Sequence, residues 1–330
     1  MKFIYVIIGL VLMSFFNPIA ACSEFFISQP DIKVAGRTMD FPEDEFFVII
    51  NPRSISRQAM FTTKQEDPVK WVSKYGSVTT NLFFDGQPQG PTDGLNEHGL
   101  SAALLWLDVS KYPENDERRV LDDGMWAQYC LDNFKTVDEV IAAAPKLRVK
   151  ADQFFNKRIA LHLYVHDAAG NSAVLEYLDG NLAIHHGQPL SVAVLTNDPY
   201  AENYADLQKY RDFGGKEILP GGYGSEARFV RAASYLKHLP KIGSAGEAVS
   251  LAFDGMADVS EPPSQSWPTQ WTVVRDHLAK KYYFRSLKNA NIRFVDLKKI
   301  DFSQGQPVRE LDIKADFSGE VTDKFKPIKS

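Results

Sequence analysis

Cysteine is scarce in this chain: Cys22 and Cys130 are the only two among 330 residues, too few to staple a disulfide scaffold. An excess of positive charge is also missing. The 37 Lys and Arg are set against 42 Asp and Glu, a formal net charge of −5, with no Lys/Arg run. That excludes a nucleic-acid groove as the organising feature. The sequence has no G-x-x-x-x-G-K-[ST] loop, no G-x-G-x-x-G after a strand and no G-x-S-x-G elbow. Phosphate-loop, dinucleotide and α/β-hydrolase chemistry are set aside with them. Internal repeats, low-complexity stretches and long linkers are lacking too, so one domain is the economical reading.

Metal-ligand spacing is absent as well. His185 and His186 are neighbours on an expected strand and point to opposite faces. His162 and His166 share a face but lie about 13 Å apart along a strand, too far for one zinc ion. These histidines are read as surface or rim residues, and no metal or other cofactor is expected.

What is present begins at the N-terminus. Lys2 precedes an apolar run from Phe3 to Phe16, broken by Asn17 and Pro18 and followed by Ile19-Ala20-Ala21-Cys22. The run is too short to span a bilayer, which takes about 20 residues. It reads as a secretory signal over residues 1–21, cut after Ala21, with residues 22–330 as the mature domain. The same four residues also match a lipoprotein box, in which Cys22 is lipidated and its amine acylated. The opening segment alone leaves the two fates open.

Along the mature chain, short β-branched or aromatic segments predict strands at Ser23–Ser28, Lys33–Thr38, Phe46–Ile50, Ser77–Phe84 and Gly99–Leu107. A second strand block is expected at Ile159–Val165, Ala173–Tyr177, Ala183–His185 and Val192–Leu195. Closing strands are expected at Trp271–Arg275, Lys281–Arg285 and Ile292–Val295. Helices are expected over Val120–Phe134, from Thr136, and over Ala201–Phe213, Ala227–Leu239 and Ala245–Ala257. Thr136 with Glu139, and Ser244 with Glu247, form capping boxes. Strand blocks and helix blocks without strict alternation predict an α+β fold of antiparallel layers.

The chemistry gathers on Cys22. Removal of the leader leaves a thiol and a free α-amine on one residue. The amine's reference pKa of about 7.7–8.0, against about 8.5 for a thiol, lets it serve as base for its own side chain. Downstream come Gly36-Arg37-Thr38-Met39-Asp40, Asp93-Gly94-Leu95-Asn96-Glu97-His98-Gly99-Leu100, Leu195-Thr196-Asn197-Asp198-Pro199 and Ala227-Arg228-Phe229-Val230-Arg231. With Cys22, these five pieces resemble, in order and separation, the choloylglycine hydrolases and penicillin V acylases, which are cysteine N-terminal-nucleophile amidases.

The resemblance implies a four-layer αββα sandwich, hydrolysis of a linear amide in a small-molecule acyl substrate, no cofactor, and a homotetramer. It favours a free amino terminus over the lipid anchor, because an acylated amine is no base; no membrane attachment is then expected after cleavage. It implies roles residue by residue. Cys22 is the nucleophile, and Arg37 favours its thiolate. Asp40 accepts from the α-amine, Asn197 donates to the oxyanion, and Arg228 organises the network around Asp40 and Asn197. Taken singly, Arg37 and Asp40 could form a turn ion pair, Asn197 a turn before Asp198-Pro199, and Arg228 and Arg231 solvated helix charges. Asn96, Glu97 and His98 are read as a turn, and Cys130 as an inert core thiol.

The bile-salt branch carries Asn where this chain has Trp106, which is similar to the secreted Gram-negative branch. A periplasmic enzyme is therefore expected. Trp106 is read as a flat apolar wall with Phe41 as a second one, suited to a phenoxyacetyl or long acyl group. Core packing is the plainer reading of Trp106. Penicillin V or acyl homoserine lactones are the expected substrates, with conjugated bile salts as the alternative.

Overall fold

The computed structural model describes residues 22–328 apart from 61–62, 64–65, 85–86, 152, 155–156 and 159. The leader reading over residues 1–21 lies outside the described residues.

Two antiparallel-rich sheets stack face to face. The first runs in the order Val194–Leu195, β1 (Cys22–Gln29), β2 (Ile32–Asp40), Thr269–Asp276, Lys281–Ser286, Arg293–Asp296 and Gly319–Glu320. The second runs Asn181–His186, Ser172–Leu178, Leu161–His166, Ser101–Trp106, Gln87–Asn96, Ser77–Phe84, Phe46–Asn51, Arg309–Asp312 and Lys326–Pro327. Helices α1 (Trp126–Asn133) and α2 (Val137–Ala143) cover the second sheet. After α3 (Tyr200–Leu207), helices α4 (Ser225–Lys237) and α5 (Ala245–Asp258) cover the first. The result is the expected αββα sandwich of an N-terminal-nucleophile hydrolase. The central strands of the first sheet, β1, β2 and Thr269–Asp276, are buried along nearly their whole length, while edge strands such as Asn181–His186 and Lys326–Pro327 are not.

Both expected caps form: Thr136 accepts from the Glu139 N–H and Ser244 from the Glu247 N–H, while the Glu139 and Glu247 carboxylates accept from the N–H groups of Lys135 and Gly243, one residue before each cap. The helix expected over Val120–Phe134 is shorter. Val120–Asp122 is a strand paired in parallel with Arg148–Lys150, so its backbone groups are spent on the partner strand. A single turn, Asp123–Met125, intervenes before α1 begins at Trp126. The helix expected over Ala201–Phe213 stops at Leu207, and the chain turns at Gly214 with φ of 100°. Gln87–Asn96, rich in Gly and Pro, gives no strand signal. It is nevertheless a strand, held by its neighbours on both sides.

The reading of His162 and His166 as rim residues is wrong. Both are fully buried. His162 Nδ1 meets Glu176 Oε2 at 3.2 Å and its Nε2 meets the Thr196 carbonyl at 2.9 Å. His166 Nε2 meets Glu24 Oε1 at 3.0 Å and its Nδ1 meets Ser172 Oγ at 2.7 Å. The sequence pattern showed the strand but not that helices and a second sheet cover both of its faces. Burial, reinforced by the Arg275 charge, holds His166 neutral well below its ordinary pKa.

Between the sheets lie four full charges with no solvent exposure: Glu24, Arg37, Asp93 and Arg275. Arg275 pairs with Glu24 and, at 2.9 Å, with Asp93; Arg37 reaches Asp93 at 3.5 Å. Tyr282 donates its hydroxyl to Asp93 Oδ1 at 2.8 Å and lies 2.7 Å from Thr80 Oγ1 of the facing sheet. Charges of opposite sign balance within the network. Removing one partner strands the other, a loss of about 3–5 kcal/mol. Arg275→Leu is therefore expected to lower the unfolding free energy by an amount of that order, read as a fall in the urea midpoint at unchanged slope. The loss should deepen as pH rises and the two carboxyls are forced to ionise without their cation. An unchanged midpoint across pH 5–8 would count against the network as a stabilising unit.

Candidate active site

Strand pairing builds the site. In the β1–β2 hairpin, Cys22 lies opposite Met39 and Glu24 opposite Arg37. Residues opposite one another share a face, so the Cys22 thiol, Met39 and Arg37 all point between the sheets. Asp40, one residue on from Met39, points to the helix-covered face, where α4 brings Arg228.

The Cys22 Sγ sits 3.7 Å from Met39 Sδ, and Arg37 Nη2 lies 3.7 Å from the same sulfur. Arg37 is fixed by the carbonyls of Thr92 and Leu104 and by the Trp271 ring, whose centroid is 5.2 Å from its guanidinium carbon. Its positive charge does pull the Cys22 pKa down, as expected. Burial is the larger effect, however, and Asp40 adds to it, so the thiol stands above its ordinary range. In this state Cys22 is a thiol awaiting a base rather than a standing thiolate.

Asn197 and Arg228 close on the other side of Cys22. The Cys22 backbone nitrogen donates to Asn197 Oδ1 at 2.7 Å. Arg228 Nη2 donates to the same oxygen at 2.7 Å, while its Nη1 donates to the Cys22 carbonyl at 2.6 Å and to Ser23 Oγ at 2.7 Å. Arg228 is thus a buried clamp across β1, not a solvated helix charge. Arg231, also buried, holds the carbonyls of Pro220 and Gly222. Asn197 Nδ2 donates to the Trp106 carbonyl at 2.9 Å. An amide nitrogen carries two hydrogens, which leaves the second for an oxyanion.

Asp40 does not meet the Cys22 nitrogen here. Its Oδ1 accepts from the Thr269 hydroxyl, and its Oδ2 is buried without a hydrogen-bond partner among the described residues. Burial pushes its carboxyl up to about 7, against the pull of Arg228 and of the Thr269 hydrogen bond. The Asn96–Gly99 segment is a turn: Asn96 Oδ1 accepts from the N–H groups of His98 and Leu100. Cys130 is buried in the α1 layer, its pKa pushed far up by burial.

Beside the Cys22 sulfur opens a cleft lined by Met39, Asp40, Phe41, Leu82, Leu104, Trp106 and Leu161. Trp106 is half-buried. It is part of the wall rather than of the core, and its backbone carbonyl anchors Asn197. Sequence reasoning missed Trp267, whose ring packs edge-on against Phe41 at 5.5 Å and against Trp106 at 6.3 Å, joining the two walls. It also missed Thr269, Thr196 and Ser225. The Ser225 hydroxyl accepts from the Asn197 N–H at 2.9 Å and donates to Thr196 Oγ1 at 2.9 Å. Thr196 lies within the 195–199 piece but had no role assigned to it, and Thr269 and Ser225 carry no local motif; they are found only by asking what holds Asp40 and Asn197. No cluster of His, Cys, Asp and Glu suited to a metal ion occurs among the described residues.

Comparison with known proteins agrees with this geometry. A model of the linear amide C–N hydrolases, choloylglycine hydrolase family, matches residues 22–310. Penicillin V acylase of Pectobacterium atrosepticum is 35% identical over 93% of this chain and 90% of its own length. The structure of penicillin V acylase from Agrobacterium tumefaciens superposes with a TM-score of 0.80 at 33% identity, covering 93% of this chain and 98% of that one. A mutant of the conjugated bile acid hydrolase from Clostridium perfringens gives 0.74 at 20% identity over 91% and 98%, a likeness of fold. With its sandwich, its buried cysteine at the head of β1 and its match over nearly the whole chain, this protein is a hydrolase of carbon–nitrogen bonds in linear amides and belongs to the choloylglycine hydrolase family.

Proposed function

We propose that the protein is a penicillin V acylase-like amidase whose nucleophile is Cys22, exposed as the mature N-terminal residue by removal of residues 1–21 in the periplasm. The observation that carries this reading is convergence. Cys22, Arg37, Asp40, Asn197 and Arg228, distant in sequence, meet around one cysteine at the edge of an apolar cleft.

The steps follow from the chemistry. A buried thiol above its ordinary pKa needs a base within reach, and the α-amine of the same residue supplies it. The thiol proton passes to the amine, and the sulfur attacks the amide carbonyl. The tetrahedral oxyanion takes the second Asn197 N–H, an interaction whose removal typically costs about 2.7–4 kcal/mol of barrier. Collapse forms the thioester and breaks the C–N bond, the leaving nitrogen taking the proton from the ammonium. Water, deprotonated by the amine, then releases the acid and restores the thiol.

The cleft favours acyl groups that are flat or long and apolar. Phe41 and Trp106, each packed edge-on against Trp267, line the cleft together with Leu82, Leu104 and Leu161. The phenoxyacetyl group of penicillin V and the acyl chain of an acyl homoserine lactone both suit it.

Cys22→Ala should abolish turnover while the melting temperature stays within a few degrees; normal turnover in this variant would end the nucleophile assignment. A form verified by mass to keep residues before Cys22 should fold and remain inactive, because its base has become an amide nitrogen. Activity at the mature rate would remove the self-activation step.

Trp106→Ala should cost about tenfold or more in kcat/KM on penicillin V and on an acyl homoserine lactone, since burying a large apolar side chain is worth about 1.5–3 kcal/mol. Alkylation of Cys22 by a small reagent should stay near wild type. A stable variant equally efficient on both substrates and on glycocholate would return Trp106 to the core, and a strong preference for glycocholate in the wild type would favour the bile-salt reading.

A further inference from the structure

Strand Thr269–Asp276 pairs with β2 with one irregularity. Trp271 lies opposite Met39, as strict antiparallel pairing requires, but the residue opposite Asp40 is Thr269 and not Gln270. One extra residue, Gln270, is accommodated there, and its side-chain Nε2 donates to the Phe41 carbonyl at 2.7 Å. Without this bulge, alternation would put Thr269 and Trp271 on the same face. With it, Trp271 stays between the sheets against Arg37, while Thr269 turns to the helix-covered face beside Asp40.

The hydroxyl of Thr269 is directional. Its oxygen accepts from the Glu261 N–H at 2.8 Å, and the Thr269 N–H donates to the Glu261 carbonyl at 3.1 Å. A backbone N–H can only donate, so the hydroxyl hydrogen is left to Asp40 Oδ1, which accepts it. Asp40 Oδ2 keeps no partner among the described residues, although the residue is fully buried and lines the cleft that holds Cys22. The two carboxyl oxygens are made unequal by one side chain.

We propose that Thr269, re-aimed by the bulge at Gln270, is a positioning residue for the amidase reaction: it occupies Asp40 Oδ1 and reserves Oδ2 to accept from the α-amine of mature Cys22. This rests on the reading of Asp40 as the partner of that amine. Oδ2 then holds the amine in line with the thiol when Asp40 is ionised and fails to do so when it is protonated. The charged groups facing Asp40 are Arg228 from α4, Arg37 from β2 and Glu261 from the segment before Thr269, with the Cys22 thiol beside it. Loss of the Thr269 donor removes an interaction with the ionised form, so Asp40 should titrate higher and the acid limb of activity should move up with it.

The test is the pH profile of kcat/KM on penicillin V for the mature enzyme, with Thr269→Val, Thr269→Ser and Asp40→Asn beside the wild type. The acid limb should move up by about one pH unit in Thr269→Val, so that activity falls severalfold below neutrality and recovers on the alkaline side. Thr269→Ser, which keeps the donor, should restore the wild-type limb. Should Thr269→Val fail to fold, Thr269→Ala carries the same expectation. An acid limb unmoved in a folded Val or Ala variant, with Asp40→Asn inactive, overturns the role of Thr269 while leaving Asp40's intact. So does an equal loss in the Val and Ser variants at every pH. A fully active Asp40→Asn enzyme overturns the reading of Asp40 itself, and the role of Thr269 with it.

Discussion

A guanidinium held between two sheets is the constraint on which the rest depends. Arg37 has no exposure to solvent, and taking its charge out of water is tolerable only because the surroundings answer it. Two carbonyls of the facing sheet, at Thr92 and Leu104, accept from it. Asp93 stands opposite, and the Trp271 face lies beneath it. These contacts fix the distance and register between the sheets at the point where Cys22 emerges. The same carboxyl of Asp93 is shared with Arg275, which in turn holds Glu24 two residues along β1 from Cys22. The Cys22 thiol therefore inherits its position from a buried charge network rather than from its own side chain.

Strand alternation divides the labour of the site. On the inner face, Arg37 and Met39 flank the thiol and the apolar cleft opens beyond it. On the outer face, Asp40, Thr269 and Arg228 surround the backbone of the same cysteine. One residue thus presents its thiol to the substrate and its nitrogen to a polar cage. The inner face is dry enough that burial outweighs the Arg37 charge and keeps the thiol protonated. In the proposed reaction a thiol kept protonated in this way needs a base close by, and the α-amine of the same residue is that base. Asn197 joins the two faces: its oxygen meets the Cys22 nitrogen and Arg228, and its nitrogen meets the carbonyl of Trp106 at the cleft wall.

Much of this was legible in the sequence because it is local. The β1 and β2 strands, the two helix N-caps, the turn at Asn96–Gly99 and the strand blocks follow from short-range patterns that tertiary packing did not override. Cys22 with Arg37, Asp40, Asn197 and Arg228 was legible as spaced pieces in a family order, and the structure brings them together. The strand Gln87–Asn96 was not legible: its Gly and Pro residues carry no β-propensity, and it is a strand because partners on both sides satisfy its backbone.

Residue identity and local periodicity pointed to Cys22, to an α+β fold and to Phe41 and Trp106 as aromatic walls, while the four-layer αββα sandwich was implied by the family resemblance and not by the pattern. Only the tertiary structure decided the direction of the Cys22 pKa, since burial and the opposing pull of Arg37 act through space. It also decided that His162 and His166 are core residues, because the cover on a strand's two faces comes from distant elements. Likewise it brought Trp267 between Phe41 and Trp106, and Thr269 onto Asp40. That last placement turns on one extra residue in one strand, which no pattern along the chain announces and which only pairing with β2 makes into a bulge.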